Sequence, residues 1–368
     1  MSVSDIPYRL GLQQRVLAPY RAPFFDALAG ACSKGLSVFA GTARPEETIG
    51  PPAALETAAF YPAHNLHLLS GRFYLCWQFG LLRWLHDWQP EVLVAEANPR
   101  YAHTPAALDW MQRRGRPVIG WGLGAPPTAA GWRERSRRRF LARFDAMITY
   151  SQKGAEEYAQ AGLHPGRIFV APNAVAPRPQ GEAPLHGAGE AGRPVVLFVG
   201  RLQPRKRVDL LLRACAALPA ERRPQVWIVG DGPARSELEA LAAELTPRPV
   251  FYGARHGAAL EAVWQGADLF VLPGTGGLAI QEAMAHALPV MAAEADGTQA
   301  DLVRPENGWM LPPGDLATLT RRLDEALGDA DRLRRMGAAS YRIVAQEINL
   351  ENMVRVFAQA IDTVMRGA

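Results

Sequence analysis

Short apolar runs alternate with amphipathic helical stretches along nearly all of this chain, and proline and glycine break the alternation once, near its middle. The short β-rich runs predict strands at 9–17, 36–39, 91–95, 117–120, 146–149 and 168–170, then at 195–199, 225–229, 250–252, 269–272 and 290–292. Helical spacing predicts helices at 104–114, 209–217, 235–245, 258–265, 278–287 and 316–327. Helical crossovers join parallel neighbours, so this alternation specifies parallel sheets covered on both faces. The break runs from APRPQGEAP at Ala176 to GAGEAG at Gly187 and fits neither period. At 368 residues the chain exceeds what one core usually supports. The expected class is therefore α/β, with two doubly wound domains over 1–177 and 194–349 and a linker over 178–193, inside the broader Pro/Gly stretch 176–193. Met353, Val354, Phe357, Ile361 and Val364 recur at helical spacing, which predicts a closing amphipathic helix within 350–368. Ligands of such sheets bind beyond the carboxyl ends of the strands, so a cleft between facing domains is the expected site.

Composition removes several classes. With 48% apolar and 21% charged residues the balance is globular. The apolar stretch 73–85 is too short for a bilayer and carries Gln78 and Arg83. Asp5 and Pro7 stand where an export signal would begin, so the expectation is a cytoplasmic protein. Cys32, Cys76 and Cys215 are odd in number and widely separated, a spacing that predicts buried free thiols and neither a zinc site nor a disulfide framework. Lys and Arg outnumber Asp and Glu by 19 to 13 over residues 1–177, against 21 to 23 over 178–368. So mild an excess points to an anionic partner for the first half and not to a nucleic-acid groove.

Chemistry concentrates in the second half. GRLQPRKRVDLLL, from Gly200, follows a strand and leads into a helix, where backbone N–H groups, Arg201 and Lys206 would meet a diphosphate. Only Lys34, Lys153 and Lys206 are lysines among the forty cationic residues, so a lysine amid arginines hints at a positional requirement. A solvated basic turn is the competing reading. IVGDGP, from Ile228, is a strand ending in a glycine turn and by itself says no more than that. ADLFVLPGTGGLAIQEAMAHALPV, from Ala267, runs from a buried strand through a glycine-rich loop into a helix and on to the next strand. Gly276 and Gly277 would let the backbone approach phosphate oxygens at the helix N-terminus. Glu282, one turn inside that helix, is placed to accept two vicinal ribose hydroxyls, with a surface helix glutamate as the plain alternative.

The order GRLxxxK, IVGDGP, ADLFVLP, glycine-rich loop and EAMAxxLPV resembles the C-terminal half of family-four retaining glycosyltransferases of the GT-B fold, group 1 type, over roughly 195–313. APNAV, from Ala171, is similar to the Pro-Asn-Gly-Val that closes the first domain in that family, with Ala174 where glycine is usual. The resemblance implies two Rossmann-like domains and a nucleotide-diphosphate sugar, UDP- or GDP-linked, as co-substrate, with no further cofactor and no metal. It implies that Arg201 and Lys206 hold the diphosphate beside Gly200 and Gly276, that Gly277 and Leu278 offer N–H groups to it, and that Glu282 holds the ribose. FYGAR, ending at Arg255, would sit near the base. In such retaining enzymes the acceptor hydroxyl attacks on the face the diphosphate leaves, the leaving phosphate takes its proton, and no protein nucleophile is needed. Arg201, Lys206 and the amides around Gly277 then supply the catalytic charge.

Three departures stand against that pattern. The first carboxylate of the family's Glu-x7-Glu pair falls on Gly274. The first-domain histidine falls on Leu123, with His103 as a candidate substitute that reads more simply as a capping or surface residue. The N-terminal glycine pair is replaced by APYRAPFF from Ala18, where Arg21 could face the cleft. Asp329-Ala-Asp331 resembles a metal-binding Asp-x-Asp, but it lies outside any strand end and reads as a solvated charge cluster.

The first half bears on the acceptor, expected to be a glycan, a lipid-linked sugar or a small molecule. WRERSRRRFLARF, from Trp132, places Trp132, Phe140 and Phe144 at helical spacing among arginines, and the stretch 73–88 is dense in aromatics. Together they suit an anionic membrane surface, peripheral on the inner face, while the competing reading is an ordinary helix with a buried stripe. Two other functions keep the fold: a nucleotide-sugar epimerase or sugar phosphorylase, for which the acid–base set or cofactor lysine is not found, and a catalytically silent donor-binding partner, which Leu123 and Gly274 favour.

Overall fold

The computed structural model describes residues 5–44, 47, 50, 54–126, 131–186 and 192–367. They form two compact units, Met1–Val175 with Leu350–Ala368, and Ala176–Asn349. The first contains strands β1 (Leu10–Val16), β2 (Leu36–Gly41), β3 (Ala59–Pro62), β4 (His64–Leu68), β5 (Leu75–Phe79), β6 (Val92–Glu96), β7 (Val118–Gly122), β8 (Ala146–Thr149) and β9 (Ile168–Val170). Its first helices are α1 (Ala22–Gly30), α2 (Leu81–Trp88), α3 (Thr104–Gln112), α4 (Trp132–Leu141) and α5 (Gln152–Gln160). Seven of these strands make a parallel sheet in the order β3-β2-β1-β6-β7-β8-β9. Strands such as β8, whose four residues are all buried, carry apolar side chains on both faces because helices cover both.

The second unit holds β10 (Val195–Val199), β11 (Gln225–Val229), β12 (Val250–Gly253), β13 (Leu269–Leu272), β14 (Val290–Ala293) and β15 (Gly308–Leu311), all parallel, in the order β12-β11-β10-β13-β14-β15. Its helices are α6 (Val208–Ala216), α7 (Arg235–Ala242), α8 (Ala258–Gln265), α9 (Leu278–Ala285), α10 (Thr298–Leu302), α11 (Leu316–Leu327) and α12 (Ala330–Gln346). The core centres on Phe198, Ile228, Phe270, Val271, Ile280 and Met284. The last helix, α13 (Leu350–Arg366), returns to the first unit.

The segment expected to be a linker is docked. Tyr341 donates its hydroxyl to the Gln180 carbonyl at 3.0 Å, and the His186 ring lies 2.6 Å from the His286 carbonyl oxygen, so 176–186 belongs to the second unit. Residues 187–191 of the expected linker lie outside the described residues. Asp329 caps α12, its carboxylate accepting the Arg332 N–H at 2.8 Å, and Asp331 pairs with Arg334. Phe140 and Phe144 pack edge to face at 5.3 Å and join the core, whereas Trp132 is exposed. All three cysteines are free and buried. No helix among the described residues is long and apolar enough to cross a membrane.

The antiparallel hairpin of β4 and β5 is inverted. Asn65, His67, Cys76 and Gln78 face inward, and Leu66, Leu68, Leu75, Trp77 and Phe79 face solvent. The inner face is a polar clamp on the sheet: the Asn65 amide donates to the carbonyls of Arg15 (2.7 Å) and Thr42 (2.9 Å), and Gln78 donates to the Gln14 carbonyl (3.1 Å) and Asn65 Oδ1 (2.9 Å).

In α13 the apolar stripe is buried, with the Phe357 ring 4.9 Å from Phe24 and 5.0 Å from Trp121. Replacing Phe357 by Ala opens a cavity among these rings and is expected to cost about 3–5 kcal/mol. Urea unfolding should then show an earlier transition for the first unit and an unmoved one for the second.

Candidate functional site

In the second sheet the strand order reverses direction between β10 and β13, which makes their carboxyl ends the switch point where such sheets bind ligands. The chain leaves β10 through Gly200 and Arg201, makes a 3-10 turn at Pro204–Lys206, and enters α6. It leaves β13 through residues 273–277 and enters α9, whose N-cap, Gly277, has no capping side chain. The two loops are joined directly. The Thr275 N–H donates to the Arg205 carbonyl at 3.0 Å, and Arg205 Nη1 donates to Thr275 Oγ1 at 2.8 Å. The glycine turn after β11 supports the first loop, with the Leu202 N–H on the Asp231 carbonyl (2.9 Å) and the Ala234 N–H on the Leu202 carbonyl (3.0 Å).

Glycine at 274 is a steric requirement of this junction. A Cβ there would stand 2.3 Å from the Arg205 carbonyl oxygen and 2.5 Å from the Lys206 carbonyl carbon, both backbone atoms. Gly276, at φ +147°, would bring a Cβ to 2.3 Å from Lys206 Nζ. The lysine ammonium therefore lies against the bare backbone at the mouth of α9. Gln299, buried on α10, donates to the Gly276 carbonyl at 2.6 Å and fixes that backbone from the far side.

The arrangement gathers positive charge. Among the described residues the amides of Gly276, Gly277, Leu278 and Ala279 donate to no protein acceptor, and they stand at the positive end of a helix beside a lysine. Burial pushes Lys206 down to about 8, neighbouring Arg205 lowers it further, and Asp296 works the other way. Arg201 is half-buried on the same loop. On α9, Leu278, Glu282 and His286 share one stripe at four-residue spacing. His286 is held by Trp264, stacked at 5.4 Å, and by Glu261 at 2.8 Å. Burial raises the Glu282 carboxyl above its ordinary range, with His286 opposing, and among the described residues that carboxylate has no hydrogen-bond partner. Gly200, Arg201, Lys206, Gly276, Gly277, Leu278 and Glu282 thus lie on the two loops and the helix of the switch point, but Arg255 does not. It is exposed beyond β12, at the sheet edge. Sequence reasoning passed over Gln299 and Asp296, although ADGTQ after a buried strand carries the same signal of a glycine turn entering a helix.

The first sheet reverses between β1 and β6, and a polar group gathers at their carboxyl ends. Glu96 accepts the Arg15 N–H and donates its own N–H to Gln13 Oε1 at 3.0 Å. Burial pushes the Glu96 carboxyl up to about 7 against the pull of Arg15 and Arg21. Arg21 is enclosed, 7% exposed, among the rings of Tyr20, Trp121 and Tyr150 at 5.0–5.6 Å. It donates to the Tyr150 hydroxyl at 3.0 Å, and its Nη1 has no acceptor among the described residues. His103 accepts the Gln78 N–H on Nδ1 at 2.8 Å and packs against Trp77, so it ties the hairpin down instead of capping α3 through its side chain. Leu123 is exposed just after β7.

Residues 193–329 match the family "Glycosyl transferases group 1", and residues 37–178 match "Glycosyltransferase Family 4". The chain is 33% identical over 281 residues to D-inositol 3-phosphate glycosyltransferase of Nocardia farcinica, covering 71% of this chain and 59% of that protein. It is 32% identical over 255 residues to GDP-mannose-dependent alpha-mannosyltransferase of Mycobacterium tuberculosis, covering 64% of each. The chain thus spans about three fifths of the length of these relatives. Among solved structures, Anabaena HepE in complex with UDP shares the fold, with a TM-score of 0.70 at 18% identity over 96% of this chain and 99% of that one.

Two outcomes follow from the junction. Restoring a carboxylate with Gly274→Glu is expected to weaken diphosphate binding and lower the melting temperature, because the new side chain must displace the 205–206 backbone. Isothermal titration and thermal unfolding of the variant check it. The second concerns pH. Diphosphate binding favours the protonated lysine, so affinity should fall above pH of about 8, by up to about tenfold per unit. Calorimetry in two buffers should reveal proton uptake there, and Lys206→Arg should abolish the inflection because arginine stays charged.

Proposed function

We propose, from the premise that this chain belongs to the group 1, family-four glycosyltransferases, that it moves a sugar from a nucleoside-diphosphate donor to an acceptor hydroxyl. The observation that carries the reading is the set of four unengaged amides at the mouth of α9, with Lys206 Nζ against the same backbone and the unpartnered Glu282 carboxylate one turn in. The amides, Lys206 and Arg201 receive the diphosphate, and Glu282 accepts the ribose hydroxyls. Glu282 is half-buried with its carboxylate unpartnered among the described residues, and two hydroxyl donors would satisfy it.

The transfer proceeds with retention and without a protein nucleophile. The bond from the anomeric carbon to the diphosphate oxygen breaks while the acceptor oxygen bonds to the same face, and the leaving phosphate takes the acceptor proton. Charge growing on that phosphate meets donors already oriented toward it, each worth roughly 3–4 kcal/mol. These fixed positive groups do what a metal ion would do at the diphosphate, which supports a metal-independent reaction. The acceptor side is assigned to the first unit, where Glu96 and Arg21 offer polar groups at the ends of β6 and β1 to a glycan, lipid-linked or small-molecule hydroxyl. The base is uracil or guanine: one relative is named for GDP-mannose and one fold neighbour holds UDP.

Gly274 and Leu123 favour a second reading, a donor-binding partner without catalysis of its own. A thermal-shift panel of UDP-, GDP-, ADP- and TDP-sugars, followed by slow donor hydrolysis without acceptor, separates the two. We expect one UDP- or GDP-sugar to raise the melting temperature of wild type, Lys206→Ala to lose that shift, and the shifting donor to be hydrolysed. A shift without hydrolysis leaves the silent partner, and no shift with any donor removes both readings.

A further inference from the structure

The β4–β5 hairpin turns its apolar side outward and its polar side toward the sheet. Leu66 pairs with Trp77 and Leu68 with Leu75 across the ribbon, and Phe79 follows Trp77 on the same face, the two rings 6.5 Å apart. The turn extends this face with Leu69, 70% exposed, and Phe73, 56% exposed. A contiguous exposed apolar face of this kind, unlike a singly scattered surface residue, marks an interaction site. A one-residue slip would hide it, yet the register is pinned by half-buried Asn65 and buried Gln78, whose amides are engaged on β1. The outward face is therefore imposed by the fold and is no by-product of a loose ribbon.

Charge selects the occupant. From Thr57 to His86 the chain has no Asp or Glu, while Arg72 stands in the turn and Arg83 follows on α2. Across the whole first unit Lys and Arg outnumber Asp and Glu by 21 to 15, a net of +6, whereas the second unit has 19 against 21. A second copy seated on this face would bring one cationic unit against another. An anionic bilayer surface attracts it, and tryptophan, phenylalanine and leucine on a short ribbon suit the headgroup boundary, where water still satisfies the ribbon's edge N–H and C=O groups. We propose that the β4–β5 hairpin docks this protein on membranes rich in anionic lipid, the turn Leu69–Phe73 entering first.

Flotation of the full chain with vesicles tests this. We expect wild type to float with phosphatidylcholine vesicles containing about one-third phosphatidylglycerol, at least about tenfold more than with phosphatidylcholine alone. The double variant Leu69→Glu, Phe73→Glu should lose about tenfold or more of that binding while keeping its thermal melting profile, which shows that the fold is intact. Failure of wild type to float on anionic vesicles, or a variant that floats as well as wild type, overturns the proposal. So does light scattering that shows a dimer of wild type and a monomer of the variant, since the face would then belong to a second copy. Should the variant misfold, Leu66→Ser with Trp77→Ser gives the same comparison from the ribbon itself.

Discussion

Two backbones meet where the Arg205 carbonyl accepts the Thr275 N–H, and the site depends on how closely they do so. The absence of a side chain at 274 lets the 3-10 turn settle against the glycine loop, and that contact carries Lys206 Nζ to the mouth of α9. Gly274 is therefore not simply a lost carboxylate. The turn fills the volume where a side chain at 274 would begin, so the chain exchanges one charged group for closer delivery of another. The cost is electrostatic: a half-buried ammonium stands beside Arg205 and four amides without a protein acceptor among the described residues.

The first unit solves a related problem differently. At the carboxyl ends of β1 and β2 the carbonyls of Gln14, Arg15 and Thr42 need donors. The hairpin covers them with Asn65 and Gln78, the reason its polar side faces in and its apolar side has no core to join. Arg21 and Glu96, next to that cover, stay enclosed and only partly satisfied.

Much of this was legible in sequence. The strands flanking both switch points are short β-rich runs, and the sequence finds them within a residue or two. Arg201, Lys206 and Glu282 stood out because loop, strand and helix signals coincide there. Local patterns failed where tertiary context decides. β3 and β15 are edge strands that end in Pro62 and begin with Gly308, residues that carry no β signal. The inverted hairpin carries an alternation whose sign is wrong for a core, and it was read as an aromatic-rich stretch. His103 was read as a capping or surface residue, whereas its ring ties the hairpin down, and its partner, the Gln78 backbone 25 residues earlier, cannot be inferred from spacing. The linker misled for a different reason: proline and glycine report a lack of regular structure, and a segment can lack it while being firmly held by Tyr341 and the His286 backbone.

That α13 packs in the first unit gives the chain an unusual order of completion. Residues 176–349 are an uninterrupted stretch with their own core, inserted between two parts of another domain. On a ribosome the inserted unit has all its strands before residue 350 has been made, while the first unit waits with Phe24 and Trp121 uncovered until Phe357 emerges. The unit synthesised first is thus finished last. Both ends of the insertion are anchored in one neighbouring fold, so the second unit is topologically a cassette: replacing it with another of the same end spacing would leave the first unit's closing contacts intact.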